Sequence, residues 1–249
     1  MRKILFIVLA ALMIVGLALP SCSSSTTAVK KYSIATDATW APFEYVDTNT
    51  NQIVGFDIDL FNAIAAKENI QFQYVNVAFD PLLAGVAQGT YDAGISSITI
   101  TDDRKAQMLF SDPYYAAGQI VIVGVNNNTI KGKDTLTGKV GAQLGTTGAM
   151  AVEKLSGVEL KTYDEIGLAF QDLMNGQINA VVCDNPVAMG YVAKNPDKLK
   201  IAGAAFTDES YGIAVAKGNE DLLNKINAGL KAVLAEGIIK QLEDKWYKQ

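Results

Sequence analysis

Two segments of this chain place oppositely charged side chains at the ends of apolar runs. Residues 94–104 carry serine and threonine hydroxyls along an apolar stretch that ends on Arg104. Residues 182–186 end a second apolar run on the carboxylate of Asp184. Guanidinium and hydroxyl groups suit an anion, whereas a carboxylate suits a cation. An α-amino acid carries a carboxylate and an ammonium on one carbon, so two lobes bearing these segments could close on it.

Composition excludes several kinds of chemistry. The 249 residues include no histidine, which rules out Ser-His-Asp and Cys-His catalysis and any histidine-ligated metal site. We expect neither a metal nor a cofactor. Segment 132–140 has five residues between its glycines, so it fails the spacing of a phosphate-binding loop. With 26 acidic against 21 basic side chains, the charge argues against nucleic acid as a partner.

The N-terminus is typical of an exported lipoprotein. A basic start at residues 1–3 precedes an apolar run over residues 4–19, which is the pattern of a secretory signal peptide. A Leu-Pro-Ser-Cys sequence ending at Cys22 resembles the lipobox of bacterial lipoproteins, although its proline replaces the usual small residue. We predict a lipoprotein signal peptide over residues 1–21, lipidation of Cys22 and a flexible tether over residues 22–30. The alternative is an ordinary signal peptide that a cysteine happens to follow.

Processing at this point would change both the charge and the cysteine count. Loss of Arg2 and Lys3 leaves 19 of the 21 basic residues against 26 acidic ones, a net charge of about −7. Cys22 would become the acylated N-terminus, so Cys183 would have no partner for an intramolecular disulfide. We interpret Cys183 as a small buried thiol.

Apolar periodicity predicts two α/β blocks. The first block alternates strands and helices, at residues 32–37, 57–68, 70–77, 80–88 and 92–98. The second block repeats the pattern with strands and helices at 139–143, 147–155, 167–175 and 179–183, followed by a helix that Asp184 could cap. Amphipathic helices broken at Gly237 end the chain. This alternation favours parallel sheets that bind ligands at the carboxyl ends of their strands.

Two segments cross between these blocks and predict a hinge. We expect hinge strands at residues 114–118 and 207–211, with glycines at 118 and 212 that could absorb the dihedral change of lobe closure. Lobe 1 would then comprise residues 31–113 and 212–249, and lobe 2 residues 119–206. A glycine in a loop can also simply form a turn.

Several motifs occur in a fixed order along the chain: ATDATWAPFE at 35–44, VGFDIDL at 54–60, the segment ending at Arg104, FSDPYY at 110–115, GTTG at 145–148, Asp184 and KWY at 245–247. Together they resemble the polar amino acid branch of the bacterial solute-binding proteins that serve ABC importers. The resemblance covers essentially all of residues 31–248. It implies a two-lobed α/β fold of the type II periplasmic-binding-protein class, with a two-strand hinge that closes on an amino acid.

The resemblance also implies the surroundings of the protein. We expect a monomer that is extracytoplasmic and held to the membrane by its N-terminal lipid. Its partners would be an amino acid ligand and the permease and ATPase subunits of an importer. No catalytic residues are expected.

The same resemblance assigns a role to each end of the ligand backbone. Arg104 would hold the carboxylate as a bidentate fork, the geometry that a guanidinium supplies. Ser97 and Thr99 would add hydroxyl or backbone donors, and Thr147 would add a backbone N–H at a helix N-terminus. Asp184 would accept the ammonium from the opposite lobe, which makes closure depend on the ligand.

Charge counting bears on the ligand side chain. By the same resemblance, Trp40 and Phe79 would sandwich this side chain and Asp37 would lie in its pocket, with Gln143 where glutamine-binding relatives usually have lysine. Without that lysine, a buried Asp37 needs a cation from the ligand, which favours arginine or lysine. The two rings could also hold a cation. Gln143 could equally bind an amide, so glutamine stays open.

Two other function classes share this fold or this type of site. One branch of the fold resembles cyclohexadienyl dehydratases, but their acids lack a free α-ammonium and Asp184 would repel them. A sensory module that presents an amino acid to a membrane receptor would require a second protein for signalling.

Overall fold

The computed structural model describes residues 30–247. The predicted signal peptide, the lipidation site Cys22 and nearly all of the predicted tether lie outside the described residues. The strands, in chain order, are β1 (Lys31–Thr36), β2 (Thr39–Trp40), β3 (Glu44–Val46), β4 (Ile53–Val54), β5 (Gln71–Asn76), β6 (Ala93–Gly94), β7 (Leu109–Phe110), β8 (Tyr115–Ala117), β9 (Gln119–Gly124), β10 (Gly138–Gln143), β11 (Val158–Tyr163), β12 (Ala180–Asp184), β13 (Leu199–Ala202), β14 (Glu209–Tyr211) and β15 (Ala214–Val215).

The helices follow the apolar periodicity of the sequence closely. They are α1 (Phe56–Glu68), α2 (Phe79–Ala87), α3 (Asp102–Lys105), α4 (Thr147–Glu153), α5 (Ile166–Met174), α6 (Asn185–Lys194), α7 (Glu220–Ala235) and α8 (Ile238–Tyr247), with a 3-10 turn at Lys133–Thr135. Within residues 30–247, none of them combines the length and the apolar character that a membrane crossing requires.

Lobe 1 is built on a five-stranded sheet in the order β5-β1-β6-β15-β7. Strand β1 pairs in parallel with β5 and β6, and β15 pairs antiparallel with β6 and β7. Helix α1 packs on α7, with Ile64 next to Gly229, and fully buried Ile64 and Ile226 belong to one apolar cluster. Each such side chain contributes roughly 1.5–3 kcal/mol by leaving water. A small sheet of β2, β3 and β4 lies in the same lobe.

Lobe 2 is built on a second five-stranded sheet in the order β11-β10-β12-β9-β13. Strands β10, β11 and β12 are parallel, whereas β9 pairs antiparallel with β12 and β13. All five residues of β12 are buried because α4 and α5 pack on this sheet. The predicted α/β class is confirmed, but both sheets are mixed rather than purely parallel.

The crossing segments pair with each other. Strands β8 and β14 form an antiparallel two-stranded sheet in which Tyr115 faces Tyr211. Gly118 follows β8 where the chains approach closely: a Cβ at this position would lie 2.3 Å from the Thr207 carbonyl oxygen. Close approach, rather than a left-handed backbone, therefore requires glycine at 118.

One predicted strand is shorter than expected. The sequence predicts a strand over residues 92–98, but β6 ends at Gly94 and Ser97 adopts a left-handed backbone with φ 48°. The N–H of Ser97 donates to Asp57 Oδ2 at 2.8 Å instead of joining a neighbouring strand. A buried carboxylate thus redirects the chain and ends the alternation that the sequence predicts for this segment.

Candidate functional site

The predicted polar residues lie mostly at strand ends. Asp37 follows β1, Gln143 ends β10 and Asp184 ends β12. Gln119 begins β9, which runs antiparallel to β12 and therefore starts beside Asp184. Because parallel strands bring their carboxyl ends to one edge, each sheet presents these groups along a single edge.

Arg104 is a buried cation held by carbonyl groups. Its backbone N–H donates to the Thr101 hydroxyl at 3.2 Å, which caps α3. Nη1 donates to the Thr99 carbonyl at 2.7 Å and Nη2 to the Gly145 carbonyl at 2.9 Å. Within the described part of the chain, Nε has no hydrogen-bond partner and the guanidinium forms no ion pair. Burial lowers the pKa of Arg104 to about 10, so it stays charged at neutral pH and suits an anionic ligand.

Gly145 brings lobe 2 to this guanidinium. It has φ +78°, a left-handed conformation that favours glycine, and a Cβ there would lie 2.9 Å from Asp80 Oδ1. Thr146 next to it caps α4 by accepting the Ala149 N–H at 3.2 Å. The loop is therefore fixed both by its own helix and by its contact with lobe 1.

Asp184 is enclosed by neutral donors. Gln119 Nε2 donates to its Oδ1, and the Tyr211 hydroxyl donates to Oδ2 at 2.5 Å. Burial raises the pKa of Asp184 to about 7, and the nearby charge of Glu209 adds to this rise. The expectation that its side chain also caps the next helix is wrong: Asp184 occupies the position before α6, but it makes no side-chain capping bond.

Glu209, a hinge residue that was not predicted to belong to the site, lies close to this group. Glu209 Oε2 accepts the Thr99 hydroxyl at 2.9 Å, the Thr147 hydroxyl at 2.8 Å and Gln119 Nε2 at 3.3 Å. Thr99 and Thr147 themselves are 3.4 Å apart, hydroxyl to hydroxyl. We call this set the arginine end of the cleft; its members are Thr99, Arg104, Gln119, Thr147, Asp184, Glu209 and Tyr211.

A second set of residues, which we call the Asp37 end, consists of Asp37, Thr39, Trp40 and Gln143. The Thr39 hydroxyl donates to Asp37 Oδ1 at 2.9 Å and Gln143 Nε2 donates to Oδ2 at 2.6 Å. Gln143 Nε2 also donates to the Asp164 carbonyl at 2.8 Å, and its Oε1 accepts the Trp40 indole N–H. Asp37 forms no ion pair with any described residue. Burial raises its pKa to about 6.

Phe79 connects the two ends. Its ring lies 5.5 Å from the Arg104 guanidinium carbon and stacks on Trp40, with centroids 6.2 Å apart and planes at 23°. Inserting a ligand side chain between the two rings would require about 7 Å. The rings would have to separate slightly to form the predicted sandwich.

Ser97 lies apart from both sets. Its hydroxyl is 3.5 Å from Glu44 Oε2 and its N–H is bonded to Asp57, so its polar groups face buried carboxylates of lobe 1. Neighbouring Ser96 accepts the Asp37 N–H at 2.9 Å and donates to Glu44 at 3.0 Å. Ser96 thus supports the Asp37 backbone, and Ser97 faces the carboxylates of Asp57 and Glu44 rather than the arginine end.

Contacts between the lobes close the cleft. Arg104 reaches Gly145, Trp40 and Asp37 reach Gln143, and Thr99 reaches Thr147. In each pair the first residue belongs to lobe 1 and the last to lobe 2. The two lobes therefore meet at both ends of the cleft.

A sequence model of the family described as "Bacterial extracellular solute-binding proteins, family 3" matches residues 32–249. The chain belongs to this family. The predicted resemblance is thereby confirmed, and the family's extracellular description agrees with the predicted location outside the cytoplasm. Lipid anchoring at Cys22 stays a prediction.

Two relatives within family 3 illustrate its ligands. The chain is 37% identical over 239 residues to the ABC transporter arginine-binding protein 1 of Escherichia coli, covering 93% of this chain and 96% of the relative. It is 36% identical over 224 residues to a probable histidine-binding protein of Neisseria gonorrhoeae, covering 88% and 83%. Both relatives are named as binding proteins rather than enzymes.

Solved structures of family members match the fold. The arginine-, lysine-, histidine-binding protein ArtJ of Geobacillus stearothermophilus aligns with a TM-score of 0.83 at 38% identity, covering 88% of this chain and 96% of that one. An ancestral arginine-binding protein bound to arginine aligns with a TM-score of 0.83 at 42% identity, covering 87% and 98%. An ancestral arginine-binding protein bound to glutamine aligns with the same TM-score and identity. An ancestral amino acid-binding precursor of cyclohexadienyl dehydratase also matches, with a TM-score of 0.80 at 36% identity over 87% and 95%. The type II two-lobed fold is confirmed.

Proposed function

We propose that this chain is the substrate-binding lipoprotein of an amino acid ABC importer and that it captures a basic L-amino acid, arginine or lysine, by lobe closure. The observation that carries the choice of ligand is the environment of Asp37. Its carboxylate is 1% exposed and accepts hydrogen bonds from the neutral donors Thr39 and Gln143. An ionised carboxylate buried among neutral groups is costly, and a guanidinium or ammonium from the ligand would offset that cost.

Gln143 supports the basic ligand over glutamine. A glutamine side-chain amide offers two N–H donors. In Gln143 one donates to Asp37 and the other to the Asp164 carbonyl, while the oxygen accepts from Trp40. To bind a ligand amide through its N–H groups, Gln143 would have to give up its bond to buried Asp37 or its bond to the Asp164 carbonyl. Glutamine is the second candidate, since an ancestral arginine-binding protein bound to glutamine is among the matching structures.

Capture would begin at the arginine end. The ligand carboxylate pairs with Arg104, whose guanidinium is bonded to carbonyl oxygens alone. The ligand ammonium then pairs with Asp184 on lobe 2, and the side chain of the ligand reaches Asp37 on lobe 1. Because these charges come from both lobes, the ligand binds the closed form more tightly and shifts the population toward it.

We also propose how the protein is anchored and which subunits it serves. A lipid at Cys22 would tether a monomer to the outer face of a membrane, and a permease and an ATPase would supply transport. We infer no enzymatic activity, although a dehydratase precursor shares the fold. A substrate acid without an ammonium would face the carboxylates of Asp184 and Glu209.

A thermal-shift screen tests this proposal. The chain from residue 23 onward is heated with each of the twenty amino acids and with ornithine, since a ligand of the native state raises Tm by mass action. Stabilisation by arginine, lysine or ornithine is the expected result. A response to glutamine alone would mean that the Gln143 amide, rather than the charge of Asp37, recognises the ligand side chain. No response to any amino acid would refute the importer function and direct attention to the dehydratase alternative.

A further inference from the structure

The threonine hydroxyl groups at the arginine end already donate hydrogen bonds within the protein. A threonine hydroxyl has one proton to donate. Thr99 and Thr147 both lie within 2.9 Å of Glu209 Oε2, and an ionised carboxylate only accepts hydrogen bonds. While these bonds exist, neither hydroxyl can donate to a ligand carboxylate.

Glu209 is anchored to the hinge through one oxygen of its carboxylate. Its other oxygen, Oε1, accepts the Thr207 hydroxyl at 2.7 Å, and the Thr207 oxygen accepts the Gln119 N–H at 2.7 Å. The carboxylate therefore has an anchored oxygen and an oxygen that joins lobe 1, through Thr99, to lobe 2, through Thr147. A cavity of about 800 Å³ reaches Glu209, Thr99 and Thr147 from the surface, which gives the carboxylate space to withdraw.

Glu209 also interacts electrostatically with Arg104. Its negative charge helps to keep the guanidinium protonated against the effect of burial. Hydroxyl donors from both lobes and a nearby guanidinium are the groups that an amino acid carboxylate would use. Glu209 thus makes, from within the chain, hydrogen bonds that resemble those of a ligand carboxylate.

We propose that Glu209 is a tethered carboxylate that occupies part of the ligand's α-carboxylate position and must release Thr99 and Thr147 before an amino acid is fully bound. This inference rests on the proposed function, since it concerns the same site. Glu209 would then determine how much the carboxylate of a ligand contributes to its affinity. A basic amine without a carboxylate could bind with Glu209 left in place.

The test compares arginine with agmatine, which is arginine without its carboxylate. Titration calorimetry measures the affinity of both for the wild-type chain and for Glu209→Gln. The amide is neutral and accepts hydrogen bonds more weakly than a carboxylate. We expect Glu209→Gln to lower the Kd of arginine about tenfold, the size of one charge-assisted hydrogen bond. The Kd of agmatine should stay unchanged or rise.

The matched control is Glu220→Gln, which makes the same charge change at an exposed site at the start of α7. It should leave both affinities unchanged. If Glu209→Gln fails to fold, Glu209→Ala serves instead and is expected to change the affinities in the same direction. Arginine binding that is equal or weaker in the variant would overturn the inference, because Glu209 would then support the ligand. Wild-type protein that binds no amino acid would refute the proposed function itself, a separate outcome.

Discussion

The two ends of the cleft bury charge in different ways. At the arginine end, a cation and two carboxylates share one neighbourhood; Gln119 donates to both carboxylates, and Tyr211 donates to Asp184. At the Asp37 end, one carboxylate is bonded to neutral donors, and no described cation pairs with it. The first arrangement suits a molecule that carries both charges, and the second suits a molecule that brings a cation. The difference between the ends is the basis for proposing a zwitterion with a basic side chain as the ligand.

The two ends also share a physical feature. Burial raises the pKa of Asp37 to about 6 and that of Asp184 to about 7, so each carboxylate is costly to ionise where it lies. A cationic ligand would offset part of that cost at both ends. The same burial that costs folding stability thus favours ligand binding.

Removing a charge at the arginine end should have the largest effect. Truncating one member of a buried charge pair costs about 2–5 kcal/mol, so Arg104→Ala or Asp184→Ala should weaken arginine binding roughly 30- to 5,000-fold. Calorimetry measures the loss, and circular dichroism verifies that the variant is folded. Lys105→Ala, an exposed change on the same short helix, is the control. Near-native affinity in either variant would show that this end does not hold the ligand backbone.

Removing the charge at the Asp37 end should change selectivity. Asp37→Asn keeps the size of the side chain but removes its charge, so arginine and lysine should bind roughly 10- to 100-fold more weakly. Glutamine should bind as well as before or better. Competition calorimetry with both ligands distinguishes selectivity from a general loss. Asp47→Asn, a half-buried residue just before the exposed turn at residues 48–50, is the control. An equal loss for arginine and glutamine would contradict the charge argument.

Arginine affinity should depend on pH. A cation binds the ionised carboxylate, so affinity should rise about tenfold or more between pH 5 and pH 8, as Asp37 and Asp184 lose their protons near pH 6 and pH 7. Calorimetry in buffers of different ionisation enthalpy should show proton release in this range. Asp37→Asn should flatten the lower part of the profile. Affinity that is constant from pH 5 to pH 8 would mean that neither group titrates on binding.

The smallest expected effect is on stability without ligand. Asp184 has a folded-state pKa of about 7 against an ordinary value of 3.8, so its contribution to stability is fully present below pH 4 and is lost as pH rises to 7. Asp184→Asn has no such loss. Its Tm relative to wild type should therefore rise by several degrees between pH 4 and pH 8, since about 1 kcal/mol shifts Tm by roughly 2–4 °C. Differential scanning calorimetry at both pH values checks this, and a constant difference would contradict the pKa shift.

The bounds of several helices follow from local sequence. Helices α1, α2, α4 and α5 start and end within two residues of the predicted bounds, because a 3.6-residue apolar period and capping residues are local signals. Strand β9 was not predicted. Its apolar run does not alternate, since the strand is buried on both faces, and such a run gives no period-two signal.

The site itself was only partly predictable. Arg104, Asp184 and Asp37 follow from charged residues beside apolar strands and from the family's motifs. Gln119, Glu209 and Tyr211 were missed because each contacts partners that are distant in the chain, as in the bond between Gln119 and Asp184, which are 65 residues apart. The position of Glu209 within a predicted hinge was the one available signal, and it did not indicate that the side chain faces the cleft.

The sequence by itself determined the α/β class, the two blocks with their crossing segments, and the identity of the charged groups, because propensity, periodicity and residue type are local properties. Only the tertiary structure decided which groups meet. Ser97 turns toward Asp57 because a buried N–H needs an acceptor. Glu209 gathers two threonine hydroxyls from opposite lobes because the hinge brings both within reach of one carboxylate oxygen. Such contacts depend on the packing of whole sheets, which no short stretch of sequence encodes.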